Sequence, residues 1–187
     1  MKRIIKKSTI FLFVFICLFK YDAFAIKDNN INFQSLTIDD ELSQSLVEYI
    51  YQDSDGYIWV ATNYGLNRYN GNEFKVYKNI KNDEISISNN MISSIVEDNN
   101  KNLWIGTDGG LNKMNLTNDK ITRYLVSDED KIYSNTVVDE LMIDSKGRLW
   151  VCTRNGLNLY DSENDTFVKV AEEYLENKGL QDIAEDD

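Results

Sequence analysis

Three residue pairs occupy the same place in a recurring pattern and yet differ in chemistry from copy to copy: Asn63-Tyr64, Asp108-Gly109 and Arg154-Asn155, each held between a Thr and a Gly. A tyrosine face stacks on a sugar ring, and Asp, Asn or Arg side chains hydrogen-bond its hydroxyls. Solvated turns use the same residue types, so both readings stand for the candidate ligand-binding residues Asn63, Tyr64, Asp108, Arg154 and Asn155. Catalysis is narrowed much further. The 187 residues contain no His, which removes Ser/His/Asp and Cys/His triads, His-ligated zinc and a phosphoacceptor histidine. Asp53-Ser54-Asp55-Gly56 resembles the start of a calcium loop, but too few oxygen ligands follow and a capped turn is the simpler reading. Cys152 replaces Ala61 and Gly106 of the other copies, as a small buried residue does, rather than a reactive thiol. No catalytic residue, metal or cofactor is expected in this chain.

The elements that hold these pairs come from a repeat. Trp59, Trp104 and Trp150 are 45 and 46 residues apart, and "DSDGYIWVATNYGLNRY", "DNNKNLWIGTDGGLNKM" and "DSKGRLWVCTRNGLNLY" align without a gap. Because every copy needs the same packing, the recurring Trp59, Trp104, Trp150, Gly65, Gly110 and Gly156 read as scaffold. Each copy predicts four strands: a first with apolar pairs three apart (Val47/Ile50, Ile92/Ile95, Val138/Leu141), a Trp-bearing second, a hairpin through Thr-x-x-Gly into "GLN", and a fourth such as "EFKVYK". Gly56 and Gly147 suit a left-handed turn, and the second copy, with Lys101 there, is expected to use Asn100 instead. Leu66 and Tyr69, echoed by Leu157 and Tyr160, break strict period two, as a bulge would. Four strands in about 45 residues is the size of a β-propeller blade. The expected fold is all-β: three complete four-stranded blades plus the first strand of a fourth, an incomplete ring.

The ends carry their own signals. Residues 1–25 have a basic start, an apolar run from Ile10 to Phe19, and Ala23-Phe24-Ala25, the pattern of a signal peptide cleaved after Ala25; an uncleaved anchor is the other reading. Removing them takes five basic side chains and one acidic one from the 20 and 31 of the chain, leaving 15 and 30 and a net charge of −15. Such a surface repels nucleic acid and anionic lipid. With one cysteine left, no intrachain disulfide forms. Residues 26–41 then form a leader whose Phe33 to Thr37 is expected to be a ring-closing strand. The blades follow at 42–84, 85–130 and 131–175. The "IAEDD" of Ile183 to Asp187 matches "IVEDN" of Ile95 to Asn99, so 176–187 begin a truncated fourth blade. The chain therefore reads as the N-terminal part of a longer protein.

These repeats, with openings at Ser88-Asn89-Asn90 and Ser134-Asn135 and the run "IVEDNNKNLWIGTDGGLN", resemble the two-component regulator propeller repeat over roughly residues 31–187. Glu41 departs from the resemblance, since such openings carry Gly before Leu-Ser-Gln. The resemblance implies an extracytoplasmic ligand-sensing region of a bacterial receptor, periplasmic or at the cell surface and dimeric in its full-length form. The output module implied is a histidine kinase or a diguanylate cyclase, and a small molecule or oligosaccharide is the implied ligand. The sequence leaves open a secreted carbohydrate-active propeller enzyme, hydrolase or lyase, and a structural or adhesive propeller.

Overall fold

Indole rings and β-branched side chains crowd the second strand of each copy, and such strands persist only where both faces are covered. A computed structural model describes residues 35–124, 137–170 and 180–186; the signal-peptide reading, Phe33, Gln34 and the Ser134-Asn135 opening fall outside them. Three antiparallel sheets of four strands follow one another. The first holds β1 (Val47–Gln52), β2 (Ile58–Thr62), β3 (Gly65–Tyr69) and β4 (Phe74–Tyr77). The second holds β5 (Ile92–Glu97), β6 (Asn102–Thr107), β7 (Gly110–Asn115) and β8 (Lys120–Tyr124), and the third β9 (Val138–Ile143), β10 (Leu149–Thr153), β11 (Gly156–Asp161) and β12 (Thr166–Val170). Within each sheet the strands lie in chain order. The first strands β1, β5 and β9 pack against one another across sheets. The sheets are thus three blades of a β-propeller, with their first strands on the axial side.

The core lies between blades. Trp59, Ala61 and Leu66 of blade 1 meet Ile92, Ile95, Leu103, Ile105, Met114 and Ile121 of blade 2. Trp104 and Leu111 meet Val138, Leu141, Leu149, Val151 and Phe167 of blade 3 in the same way. Each large side chain so buried contributes about 1.5–3 kcal/mol. Leu66 faces blade 2 while Tyr69 packs with Val60 and Phe74 on the opposite face. Two covered faces therefore account for the broken period, and β3 pairs with both neighbours without a bulge.

The bulge is in the first strand instead. Val47 opposes Thr62 and Tyr49 opposes Ala61, so Glu48 is the extra residue. Ser93 and Asp139 are skipped likewise in β5 and β9. One inserted residue puts Val47 and Ile50, three apart, on the same face.

The turn before each Trp is built on one carboxylate. Asp53 Oδ1 accepts the N–H groups of Asp55 and Tyr57, at 3.0 and 2.9 Å, and its Oδ2 accepts Trp59 Nε1 at 2.7 Å. Asp98 and Asp144 repeat the pattern on Trp104 and Trp150. Gly56 and Gly147 take φ of 90 and 75, and in blade 2 Lys101 itself takes φ 60 where Asn100 was expected. Asp98 clasps the turn from inside, and Asp55 of blade 1 holds the Lys101 ammonium at 2.6 Å, fixing the residue in place.

At the two ends no strand is found among the described residues. Ser35–Thr37 form no strand; Thr37 caps a short 3-10 turn, Ile38–Asp40, and Glu41 closes it at φ 73. Residues 180–186 pair with no second strand among the described residues, yet they follow the repeat. Glu185 accepts Ser145 N and Oγ at 2.7 and 2.8 Å, just as Glu97 accepts Ser54 N and Oγ at 2.7 and 2.5 Å.

Candidate functional site

The hairpin that follows each Trp strand is fixed by two buried polar residues. Thr62 Oγ1 donates to Gly65 O at 2.9 Å and accepts Tyr64 N at 3.0 Å. Asn67 Nδ2 donates to Val60 O at 3.0 Å, while its Oδ1 accepts Ser43 N at 2.9 Å. Thr107 and Asn112 do the same in blade 2. In blade 3 Thr153 keeps its bonds, but Asn158 Oδ1 is buried without a partner among the described residues. Gly65, Gly110 and Gly156 close the hairpins at φ 121, 119 and 120. With its backbone held this tightly, each hairpin leaves the two residues between Thr and Gly free to vary.

The bulged residue of each first strand stands beside them. Glu48 and Asn63 are 15 residues apart, as are Ser93 and Asp108, and Asp139 and Arg154. Asn63 Nδ2 donates to Glu48 Oε1 at 2.9 Å. Arg154 Nε lies 3.9 Å from Asp139 Oδ1. Asp108 bonds through its backbone N–H to Met91 O at 3.2 Å, and its exposed carboxylate makes no hydrogen bond or ion pair among the described residues. Burial raises the Asp139 carboxyl above the usual carboxylate range; the Arg154 guanidinium opposes that rise and the nearby Asp108 adds to it. Three blades thus present three dissimilar pairs in a row: acid with amide, hydroxyl with acid, acid with guanidinium.

Between blades 1 and 2 lies an open cavity of about 360 Å³, lined by Glu48, Asn63, Met91, Ile92, Ser93 and Asp108. Its polar groups come from the hairpins and bulges, its apolar floor from β5 and the residue before it. The structure therefore brings Asn63 and Asp108 together and sets Arg154 one blade further on, against Asp139, which senses the charge of Asp108. Tyr64 does not line this cavity. It is 57% exposed, with Lys78 Nζ 4.2 Å from its ring centre. Asn155 is exposed too, bonded through its N–H to Thr153 Oγ1. Glu48, Ser93 and Asp139 were missed by sequence reasoning, although the apolar pairs three apart in each first strand signalled an inserted residue.

Cys152 is fully buried, and burial pushes its thiol up to about 11, with Glu140, Asp182 and Asp139 adding to the rise. Among the described residues no cluster of three or more Cys, Asp or Glu side chains has the arrangement to hold a metal ion. None of their helices is long and apolar enough to cross a membrane.

A family model described as the two component regulator propeller matches residues 40–64 and 86–109. Histidine kinase P4 of Formosa agariphila is 45% identical over 75 residues, 39% of this chain and 6% of the kinase. A solved structure from B. thetaiotaomicron, described as the extracellular domain of a hybrid two-component system, matches with a TM-score of 0.68 at 28% identity, over 76% of this chain and 20% of that one. A second, described as the extracellular domain of a one-component system from the same organism, gives 0.58 at 24% identity, over 75% and 18%, a likeness of fold alone. The chain spans a fifth or less of the length of each of these proteins.

Proposed function

The chain carries two-component regulator propeller repeats, and on that premise we propose that it is the extracytoplasmic, ligand-sensing region of a bacterial signal-transduction receptor whose output module is a histidine kinase or a diguanylate cyclase. The likeness to an extracellular domain at 28% identity and to a histidine kinase over 75 residues supports this reading. The observation that carries it is the cavity between blades 1 and 2, where Asn63 and Asp108 from variable hairpins meet Glu48 and Ser93 from first-strand bulges. A rigid sheet presenting variable polar groups around an apolar floor is how binding sites are commonly built.

The ligand class that suits these groups is a neutral, polyhydroxylated molecule such as an oligosaccharide. Carboxylates accept from hydroxyls and amides both accept and donate, while Met91, 44% exposed, offers an apolar surface to a sugar face. Ligand occupancy shifts the output by binding one arrangement of a receptor dimer more tightly than the other. Titration calorimetry of the intact receptor against a panel of oligosaccharides tests this. Asp108→Ala is expected to weaken a responding sugar at least about tenfold, equivalent to about 1.4 kcal/mol, with Asn155→Ala unchanged. Binding that survives Asp108→Ala and Glu48→Ala undiminished would sink the reading.

A further inference from the structure

The joints between blades are fastened near their outer edge by an aspartate of the later blade. Asp119, in the turn between β7 and β8, accepts Arg68 at 3.1 Å, Lys75 at 2.6 Å and Tyr77 at 3.0 Å, all from blade 1. Asp165, in the matching turn of blade 3, accepts Tyr124 of blade 2 at 2.6 Å and its own Tyr160 at 2.7 Å. Lys113 of blade 2 donates to Tyr160 at 3.1 Å.

Strand register locates the same receiving patch on blade 3. Leu66 pairs with Tyr77 and Arg68 with Lys75; Leu111 pairs with Tyr124 and Lys113 with Thr122; Leu157 pairs with Val170 and Leu159 with Val168. Where blade 1 offers Arg68, Lys75 and Tyr77 to a carboxylate, blade 3 offers Leu159, Val168 and Val170. Val168 is 52% exposed, and Leu157 and Trp150 are only half-buried although Leu66, Trp59 and Trp104 are each at 0%. Among the described residues no blade covers this apolar face. An aspartate brought opposite it would meet no donor among Leu157, Leu159, Val168 and Val170.

What covers it is indicated by residues 180–186. Leu180 N donates to Thr153 O at 3.3 Å, and Glu185 grips Ser145 as Glu97 grips Ser54. That segment already holds the place on blade 3 that β5 holds on blade 1, so a second copy of the chain cannot set its own β1 there. We propose that the blade 3 face of Leu157, Leu159, Val168 and Val170 receives a further blade of this repeat, one that starts from residues 180–186 and brings an apolar side chain, not an aspartate, to the position held by Asp119 and Asp165.

Grafting tests this on the full chain. Residues 98–124 joined directly after Glu185 supply a fourth sheet, because Glu185 stands where Glu97 stands. Two versions are compared, one keeping the copied Asp119 and one carrying Asp119→Leu in the graft alone. The readouts are Tm and the maleimide labelling rate of V168C in a Cys17→Ser background. The leucine version is expected to raise Tm by at least about 3 °C more than the aspartate version and to slow labelling at least about tenfold. Installing Leu159→Arg, Val168→Lys and Val170→Tyr together, with Tm as the readout, is expected to reverse that preference. An aspartate graft that stabilises equally well in the unaltered face overturns the proposal. So does labelling that neither graft slows, or labelling of the ungrafted chain that slows with its own concentration, which would assign the face to a second copy.

Discussion

Trp59 and Asp53 share a hydrogen bond of 2.7 Å from indole Nε1 to carboxylate Oδ2, with the indole fully buried and the carboxylate 5% exposed. The same carboxylate closes the turn through two backbone N–H groups. Asp53→Ala strands all three donors, and charged hydrogen bonds of this kind contribute about 1.5–3 kcal/mol each in favourable cases. The substitution is expected to lower the unfolding free energy by about 3 kcal/mol, measured by urea denaturation. A loss under about 1 kcal/mol would make the turn self-supporting.

Asp144 gives the acid limb of stability. Burial alone would raise its carboxyl, but hydrogen bonds from Trp150, from Arg148 N and from the Arg148 side chain outweigh that and bring it to about 2. A carboxyl lowered on folding contributes stability that is complete above its unfolded value, near 3.9, and is lost as pH falls toward the folded value. Unfolding free energy should therefore decline between about pH 4 and pH 2, and the decline should be shallower in Asp144→Asn. Asp119, Asp161 and Asp165 are lowered as well, so a residual slope remains in that variant.

Gly106 occupies the sheet position of Ala61 and Cys152, yet a Cβ there would lie 2.7 Å from Val138 Cγ1 and 3.0 Å from Ser93 Oγ. Gly106→Ala is expected to destabilise by about 1–3 kcal/mol through overpacking at the joint of blades 2 and 3. Adding Val138→Ala should recover part of that loss in a double-mutant cycle; additive effects would place the strain elsewhere.

Glu41 is the reverse case. It sits at φ 73 as the C-cap of the 3-10 turn, a conformation that favours glycine. Glu41→Gly removes a steric penalty of about 1 kcal/mol and is expected to raise Tm slightly. A lower Tm would show that the flexibility gained by the unfolded chain outweighs the relief.

Arg68 and Asp119 test the joint between blades 1 and 2. Their side chains are 20% and 26% exposed, so the pair is partly screened. A double-mutant cycle should give a coupling of about 0.5–1 kcal/mol that shrinks in 1 M salt, well below the effect of Asp53→Ala.

The blade was legible because its signals are local. Trp, Thr, Gly and Asn recur at fixed offsets, and each also makes a bond or a turn close to itself in sequence, as Trp59 does to Asp53 and Thr62 to Gly65. What escaped lies across strands or across blades. The Glu48 bulge depends on how β1 pairs with β2. The left-handed Lys101 depends on Asp55 in the preceding blade. The missing strand at Ser35–Thr37 follows from a cap that Thr37 and Asp40 form together. For the candidate site, the hairpin residues could be read from where the repeat varies. Their bulge partners needed the register, because Glu48, Ser93 and Asp139 look alike in nothing but position.

Four carboxylate clasps between blades run in one direction, while Lys101 donates back to Asp55 in the other. Glu97 reaches back to Ser54, Asp119 to Arg68, Asp165 to Tyr124, and Glu185 to Ser145. At those four clasps the earlier blade holds the donors and the later one supplies the acceptor. For a chain that is synthesised from its N-terminus, each sheet can form from its own hairpins and then lock onto a finished neighbour, with no need for a distant segment to arrive first. Assembly proceeds like a zip closed from one end.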